Sequence, residues 1–153
     1  MQASLSIVPG AFLFVGLCVW IAIWIKRARE RHQMEQISIT PEALHALMRA
    51  NKKVLLFDVR QPLDLLANSE IIPGARRIAP KDVLANPSLI PRDEDSIVYC
   101  TCPSDKTSQS VSKQARAQKF FRVKFLRGGL EAWKAKGYPV EPYDQPFHLD
   151  TGV

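Results

Sequence analysis

The sequence predicts an α/β fold, three layers deep around a central parallel sheet, preceded by one N-terminal transmembrane helix. Three observations predict it. Short apolar, β-branched runs at 54–59, 97–99 and 123–126 suit strands buried on both faces. They alternate with segments of helical period, which requires parallel pairing with helices on both faces of the sheet. The first 25 residues, Met1 to Ile25, carry no charged side chain.

Within that head, Leu5 to Ile25 is a 21-residue apolar run. As a helix it would cover about 31 Å, close to the hydrocarbon thickness of a bilayer. Trp20 and Trp24 near its end suit the membrane interface, and Lys26, Arg27, Arg29 and Arg31 follow at once. Such a basic flank favours the cytoplasmic side. The expected placement is a single pass through the inner (plasma) membrane with the domain in the cytoplasm. A secretory signal peptide would need a basic start and a shorter apolar core, whereas Met1 to Ser4 hold no basic side chain. Pro9 and Gly10 fall in the first turns, where they cost little. Cys18 reads as a small apolar residue facing lipid or a neighbouring helix.

The domain organisation follows: 1–25 a transmembrane helix, 26–37 a basic juxtamembrane connector, 38–141 one domain, and 142–153 a C-terminal tail. Roughly 115 to 125 residues after the head are enough for one useful core and leave no room for a second domain. The net charge of +6 is largely accounted for by the membrane-proximal cluster. No basic patch interleaved with aromatics argues for nucleic acid, which is not expected as a partner. Three cysteines, Cys18, Cys100 and Cys102, make no even disulfide framework and fit a reducing compartment.

Along the domain, Thr40-Pro41-Glu42 starts a helix, with Thr as cap, Pro in the first turn and an acid beside it. Ala43, Leu44, Leu47 and Met48 supply its apolar face. Asn51 to Lys53 break it before the 54–59 strand. A short helix spans 62–68, a turn 72–75 and a short strand 76–78, with a helical turn or two at 81–85. The strand 97–99 ends at Cys100. A loop from Thr101 to Lys106 leads into a helix over 107–119, followed by strand 123–126, the Gly128-Gly129 turn and a helix over 130–136. In such sheets the site lies at the carboxyl ends of the strands, where Cys100 sits.

A cysteine between a strand and a helix N-terminus meets backbone N–H groups and the positive end of the helix dipole. Both favour the thiolate, the reactive form. Ser104, Lys106 and Thr107 add donors and a positive charge, and Thr101, Cys102 and Asp105 complete the candidate substrate-binding loop. Taken alone, Cys100 reads equally well as a small buried apolar residue.

The wider pattern resembles the rhodanese family. FDVRQPLDL at 57–65, IPGARRI at 72–78, IVYC at 97–100 and FLRGGLEAWKAKGYPV at 125–140 occur in that family's order and spacing. The resemblance covers about residues 37–141 and implies a rhodanese-like three-layer fold. It implies that Cys100 takes a sulfane sulfur from thiosulfate or a persulfide, carries it as a persulfide and passes it to a thiol acceptor. Asp58 and Arg60 match the family's Asp-x-Arg element, implying a structural ion pair beside the site. No cofactor is expected.

The loop departs from the usual family pattern of six residues rich in Gly and Ser with an Arg before the helix. It reads Cys100-Thr101-Cys102-Pro103-Ser104-Asp105-Lys106, seven residues without glycine and with Lys at the basic position. Its start looks more like that of a bacterial subset of membrane-linked rhodanese-like domains with a Cys-x-Cys-Pro opening. A loop of this length also resembles those of dual-specificity phosphatases. A Lys point charge, however, does not reproduce the bidentate guanidinium that clamps phosphate, and Asp105 would repel a dianion. Cys102 reads either as a packing residue or as a resolving thiol. Zinc is not expected, because two thiols fall short of four ligands, and His32, His45 and His148 are scattered. Three functions follow in order: a sulfurtransferase or persulfide carrier, a non-catalytic interaction module docking an unknown membrane partner, and a phosphatase.

Overall fold

A computed structural model describes residues 8–101 and 105–145, with side chains from Leu13 onward. Two compact units divide the chain, Met1–Gln36 and Ile37–Val153.

The first unit is one helix, α1, described from Val8 to Gln36. Large apolar side chains from Leu13 to Ile25, among them Phe14, Leu17, Trp20, Ile21 and Trp24, are exposed. They occupy successive positions, so apolar surface circles the helix rather than forming one stripe. The membrane span expected over 1–25 is not recovered among the described residues, where no helix is long and apolar enough to cross a membrane. Length is the reason. The described apolar side chains, Leu13 to Ile25, cover about 20 Å of helix against roughly 30 Å of hydrocarbon. The rest of the expected span lies outside the described side chains.

The second unit opens with β1 (Ser38–Ile39) and α2 (Pro41–Arg49). Thr40 caps α2 by accepting the Ala43 N–H at 3.3 Å. Asn51, at φ +51°, turns the chain away from the helix. Strand β2 (Leu55–Asp58), helix α3 (Pro62–Ala67), strands β3 (Glu70–Ile71) and β4 (Ala75–Arg77), and helix α4 (Pro80–Ala85) follow. A 3-10 turn at Pro87–Leu89 precedes β5 (Ser96–Tyr99). Helix α5 (Lys106–Ala117), strand β6 (Val123–Leu126), helix α6 (Gly129–Ala135) and strand β7 (Glu141–Pro142) complete the described chain.

The main sheet has five strands in the order β1-β6-β5-β2-β4, and every pairing in it is parallel. Strand β5 is central, with Val98 opposite Phe57 on one side and Phe125 on the other. Because side chains alternate along a strand, Ile97 and Tyr99 point to the other face. There they join Leu44, Leu56, Ile72, Leu126, Leu130 and Trp133 in one apolar cluster. That cluster binds α2 and α6 to the sheet.

Helix α5 buries Ser108, Val111, Ser112 and Ala115, an i, i+3, i+4, i+7 stripe of small side chains that lets it approach β5 and β6 closely. Sequence periodicity did not signal β1, β3 or β7. The antiparallel β3–β7 pair sets Ile71 opposite Glu141, and the Tyr143 N–H donates to the Ser69 carbonyl at 2.6 Å. The chain just after Val140 is therefore tied to the domain by backbone hydrogen bonds.

Candidate active site at the end of the central strand

Strand β5 delivers Cys100 to the carboxyl edge of the sheet, enclosed by three neighbouring segments. The residue is fully buried. Its carbonyl accepts the Leu130 N–H at 3.0 Å, which fastens the end of β5 to the first turn of α6. Gly129 makes this approach possible. At φ +53°, a Cβ on it would fall 1.9 Å from the Cys100 carbonyl oxygen. Only glycine meets both the left-handed backbone and the close contact.

The thiol faces α5. Cys100 Sγ lies 3.4 Å from Ser108 Oγ, and the Ser108 hydroxyl donates to the Asp105 carbonyl at 3.1 Å. Asp105 stands at the helix N-cap in the left-handed region, φ +50°, and its side chain makes no capping bond. Instead, one carboxylate oxygen accepts the Gly128 N–H at 2.7 Å. The other, Oδ1, is buried without a hydrogen-bond partner. Burial pushes the Asp105 carboxyl above its ordinary value, with the Gly128 N–H pulling the other way. The loop and the Gly-Gly turn are thus joined by a buried carboxylate.

Asp58 and Arg60 form a fully buried pair at the end of β2. Arg60 Nε donates to both Asp58 oxygens, at 3.0 and 2.8 Å. Its remaining nitrogens donate to the carbonyls of Asn68 at 2.6 Å and Glu70 at 2.8 Å. The guanidinium therefore organises the α3–β3 connection from inside, with its planar fork matched to fixed acceptors. Next to it, the Val59 N–H donates to the Tyr99 carbonyl at 2.9 Å, and the Tyr99 hydroxyl accepts the Ile72 N–H at 3.2 Å. Burial, with the Asp58 charge second, raises the Tyr99 phenol far above its ordinary value. Tyr99 is a neutral cross-link behind the cysteine.

Of the loop residues singled out from sequence, Thr101 is half-buried, Lys106 is exposed and Thr107 is half-buried at the start of α5. Cys102 and Ser104, with Pro103 between them, lie outside the described residues, as does His148. Sequence reasoning missed Ser108. It also read Gly128-Gly129 as a turn without seeing that it packs on Cys100. A local signal for Ser108 existed in the stripe with Val111, Ser112 and Ala115, but three of those four residues are too small or polar to mark a buried face by hydropathy. Among the described residues no group of His, Cys, Asp or Glu could hold a metal ion.

A cysteine closing the central strand of a parallel sheet, packed against the first turn of the next helix, defines a thiol-bearing α/β domain. Its family is shown by comparison. The chain matches the model of the rhodanese-like domain over residues 40–136, and it belongs to that family. It is 31% identical over 102 residues to a protein from Allochromatium vinosum named sulfurtransferase, a match covering 67% of this chain and 92% of that relative. A full-length protein from Lactobacillus plantarum superposes with a TM-score of 0.66 at 22% identity, over 76% of this chain and 97% of that one. A protein from Anabaena sp. gives a TM-score of 0.56 at 29% identity, over 68% of this chain and 82% of that one.

Proposed function

We propose that this protein is a membrane-tethered sulfurtransferase or persulfide carrier that moves sulfane sulfur through Cys100. The carrying observation is the position of the thiol: it ends the central strand and meets a buried hydroxyl of α5 at 3.4 Å. The name of the Allochromatium vinosum relative supports the same reading. The Cys100 thiolate attacks the outer sulfur of a donor, forming a new S–S bond as the donor's S–S bond breaks. With thiosulfate the leaving group is sulfite; with a persulfide it is a thiolate. An acceptor thiolate then takes the sulfur and regenerates Cys100. Candidate donor contacts come from the loop, Thr101 to Thr107, with Cys102 and Ser104 among them. Asp58 and Arg60 hold the frame.

Tethering rests on the apolar run 5–25, the exposed ring of apolar side chains on α1 and the basic residues that follow. A helix apolar on all sides needs a lipid or protein environment. The charge order favours the inner (plasma) membrane with the domain in the cytoplasm. Deleting residues 1–25 should move the protein from the membrane to the soluble fraction. A periplasm-only reporter fused to the C-terminus should stay dark.

The deciding experiment is mass spectrometry of Cys100 after incubation of the full-length chain with thiosulfate or a small persulfide. A gain of one sulfur on Cys100, absent in Cys100→Ser, is expected. Equal transfer to cyanide or a thiol by Cys100→Ser would end the proposal. A second reading, a rhodanese-fold docking module, is favoured by one observation: Cys100 is fully buried. Unchanged partner binding in Cys100→Ser, with no sulfur loaded on the wild type, would establish it.

A further inference from the structure

The hydroxyl of Ser108 has one proton and two neighbours that compete for it. The Asp105 carbonyl can only accept, so the 3.1 Å contact to it uses that proton. In the 3.4 Å contact with Cys100 either atom can be the donor, and while the Ser108 proton points at the Asp105 carbonyl that role falls to the sulfur. With the hydroxyl proton so placed, Cys100 is a neutral thiol that shares its S–H with Ser108 Oγ. Loss of the Cys100 proton removes that donor and leaves an anion facing an oxygen lone pair.

We propose that Ser108 is a catalytic residue whose hydroxyl rotates on ionisation of Cys100, leaving the Asp105 carbonyl and donating to the thiolate. This deepens the sulfur-transfer reading and rests on it. Two features make the rotation easy. The Asp105 carbonyl also accepts the Gln109 N–H at 2.8 Å, so it keeps a hydrogen bond when Ser108 turns away. Ser108 is fully buried, so solvent does not compete at its hydroxyl, and a charge-assisted bond to the thiolate replaces a neutral one. The starting contact, from Ser108 back to the carbonyl three residues earlier, is of a kind that serine commonly makes.

The proton balance is simple. The Cys100 proton leaves to solvent, the Ser108 proton stays on its oxygen throughout, and no group is oxidised before the donor arrives. The thiolate then attacks a persulfide donor, R–S–SH. A Cys100 S–S bond forms, the R–S to sulfur bond breaks, and the electron pair departs on the thiolate R–S⁻. Ser108 can follow the charge to the loaded sulfur or stay with Sγ. The charged and titratable groups at the carboxyl ends of the neighbouring strands and the start of α5 are Asp58 at the end of β2 and Arg60 after it, Tyr99 on β5, Asp105 and Lys106 at the start of α5, and Arg127 after β6; Lys113 and Arg116 lie further along α5, Lys124 on β6, and Glu131 and Lys134 on α6. All are retained when Ser108 is replaced.

The test is the pH dependence of Cys100 alkylation by iodoacetamide in the full-length chain, with modification assigned to Cys100 by tandem mass spectrometry. Ser108→Ala and Ser108→Gly both remove the hydroxyl, and folding is checked by near-ultraviolet circular dichroism. In the folded variants the alkylation midpoint should rise by about one to two pH units. Ser108→Thr, which keeps the hydroxyl, should stay within about half a unit of wild type. A folded Ala or Gly variant with the wild-type midpoint overturns the proposal. Sulfur loading is measured on the same samples. A shifted midpoint without loading in wild type would defeat the sulfur-transfer reading and leave the hydroxyl switch standing, whereas loading without a shift would do the reverse.

Discussion

Gly129→Ala is the sharpest single perturbation of the site, because a conformational and a steric penalty meet at one atom and a backbone hydrogen bond is lost with them. Gly129 has φ +53°, and an added Cβ would lie 1.9 Å from the Cys100 carbonyl oxygen and 2.9 Å from its carbonyl carbon. Both obstacles are backbone, so no rotamer change relieves them. A left-handed residue bearing a Cβ costs about 1–2 kcal/mol. Moving packed backbone to make room costs about 1–3 kcal/mol, and losing the Leu130 N–H bond to Cys100 costs about 1 kcal/mol more. The sum is roughly 3–6 kcal/mol, a large share of a typical domain's stability. Gly137→Ala supplies the control: Gly137 is also left-handed, at φ +70°, but nothing lies within 4 Å of its would-be Cβ. It should lose only the conformational part, about 1–2 kcal/mol. Urea unfolding of both variants measures the difference, with the slope of the transition used to check that cooperativity is kept. The Gly129→Ala variant should also show altered Cys100 alkylation. Equal losses in the two variants, with unchanged alkylation, would refute the close approach of α6 to the cysteine.

The buried pair at the end of β2 yields a second prediction. Arg60→Met leaves Asp58 charged and unpaired in the interior and should cost about 3–5 kcal/mol. The double replacement Asp58→Val, Arg60→Met should recover part of that loss, and a double-mutant cycle from urea midpoints would expose the coupling. Additive losses would show that the pair is not coupled. Asp105 gives a pH-dependent prediction. Burial raises its carboxyl above the ordinary 3.8, so the folded state binds the proton more tightly than the unfolded one. The associated stabilisation is present below that ordinary value and is lost as pH rises through the raised folded value. Asp105→Asn keeps an acceptor for the Gly128 N–H and cannot ionise. Its Tm should exceed that of wild type at pH 7, with the advantage disappearing below the ordinary aspartate value. An advantage that grew on acidification would contradict the sign.

Helix starts and strand positions were largely legible because they are local. Thr40-Pro41 carries its own capping chemistry, and the apolar runs around Phe57, Val98 and Phe125 are continuous enough to mark strands buried on both faces. The placement of Cys100 needed no more than a strand ending before a loop and a helix. The short strands β1, β3 and β7 were not legible. At two residues each, they have no period to read and exist only because a partner strand lies beside them.

By itself, the sequence determined the parallel α/β order, the cysteine at the edge of the sheet and the apolar character of the first helix, all set by side chains close together along the chain. The tertiary structure alone decided which groups meet the sulfur. Ser108 reaches Cys100 only when α5 settles on its small-residue face, Gly129 reaches its carbonyl only when α6 folds back on β5, and Arg60 meets the Asn68 and Glu70 carbonyls only after α3 is placed. The physical reason is that a backbone pattern is encoded over a few neighbouring residues. The surroundings of one buried atom depend on packing distances and helix rotations fixed when distant segments close-pack together.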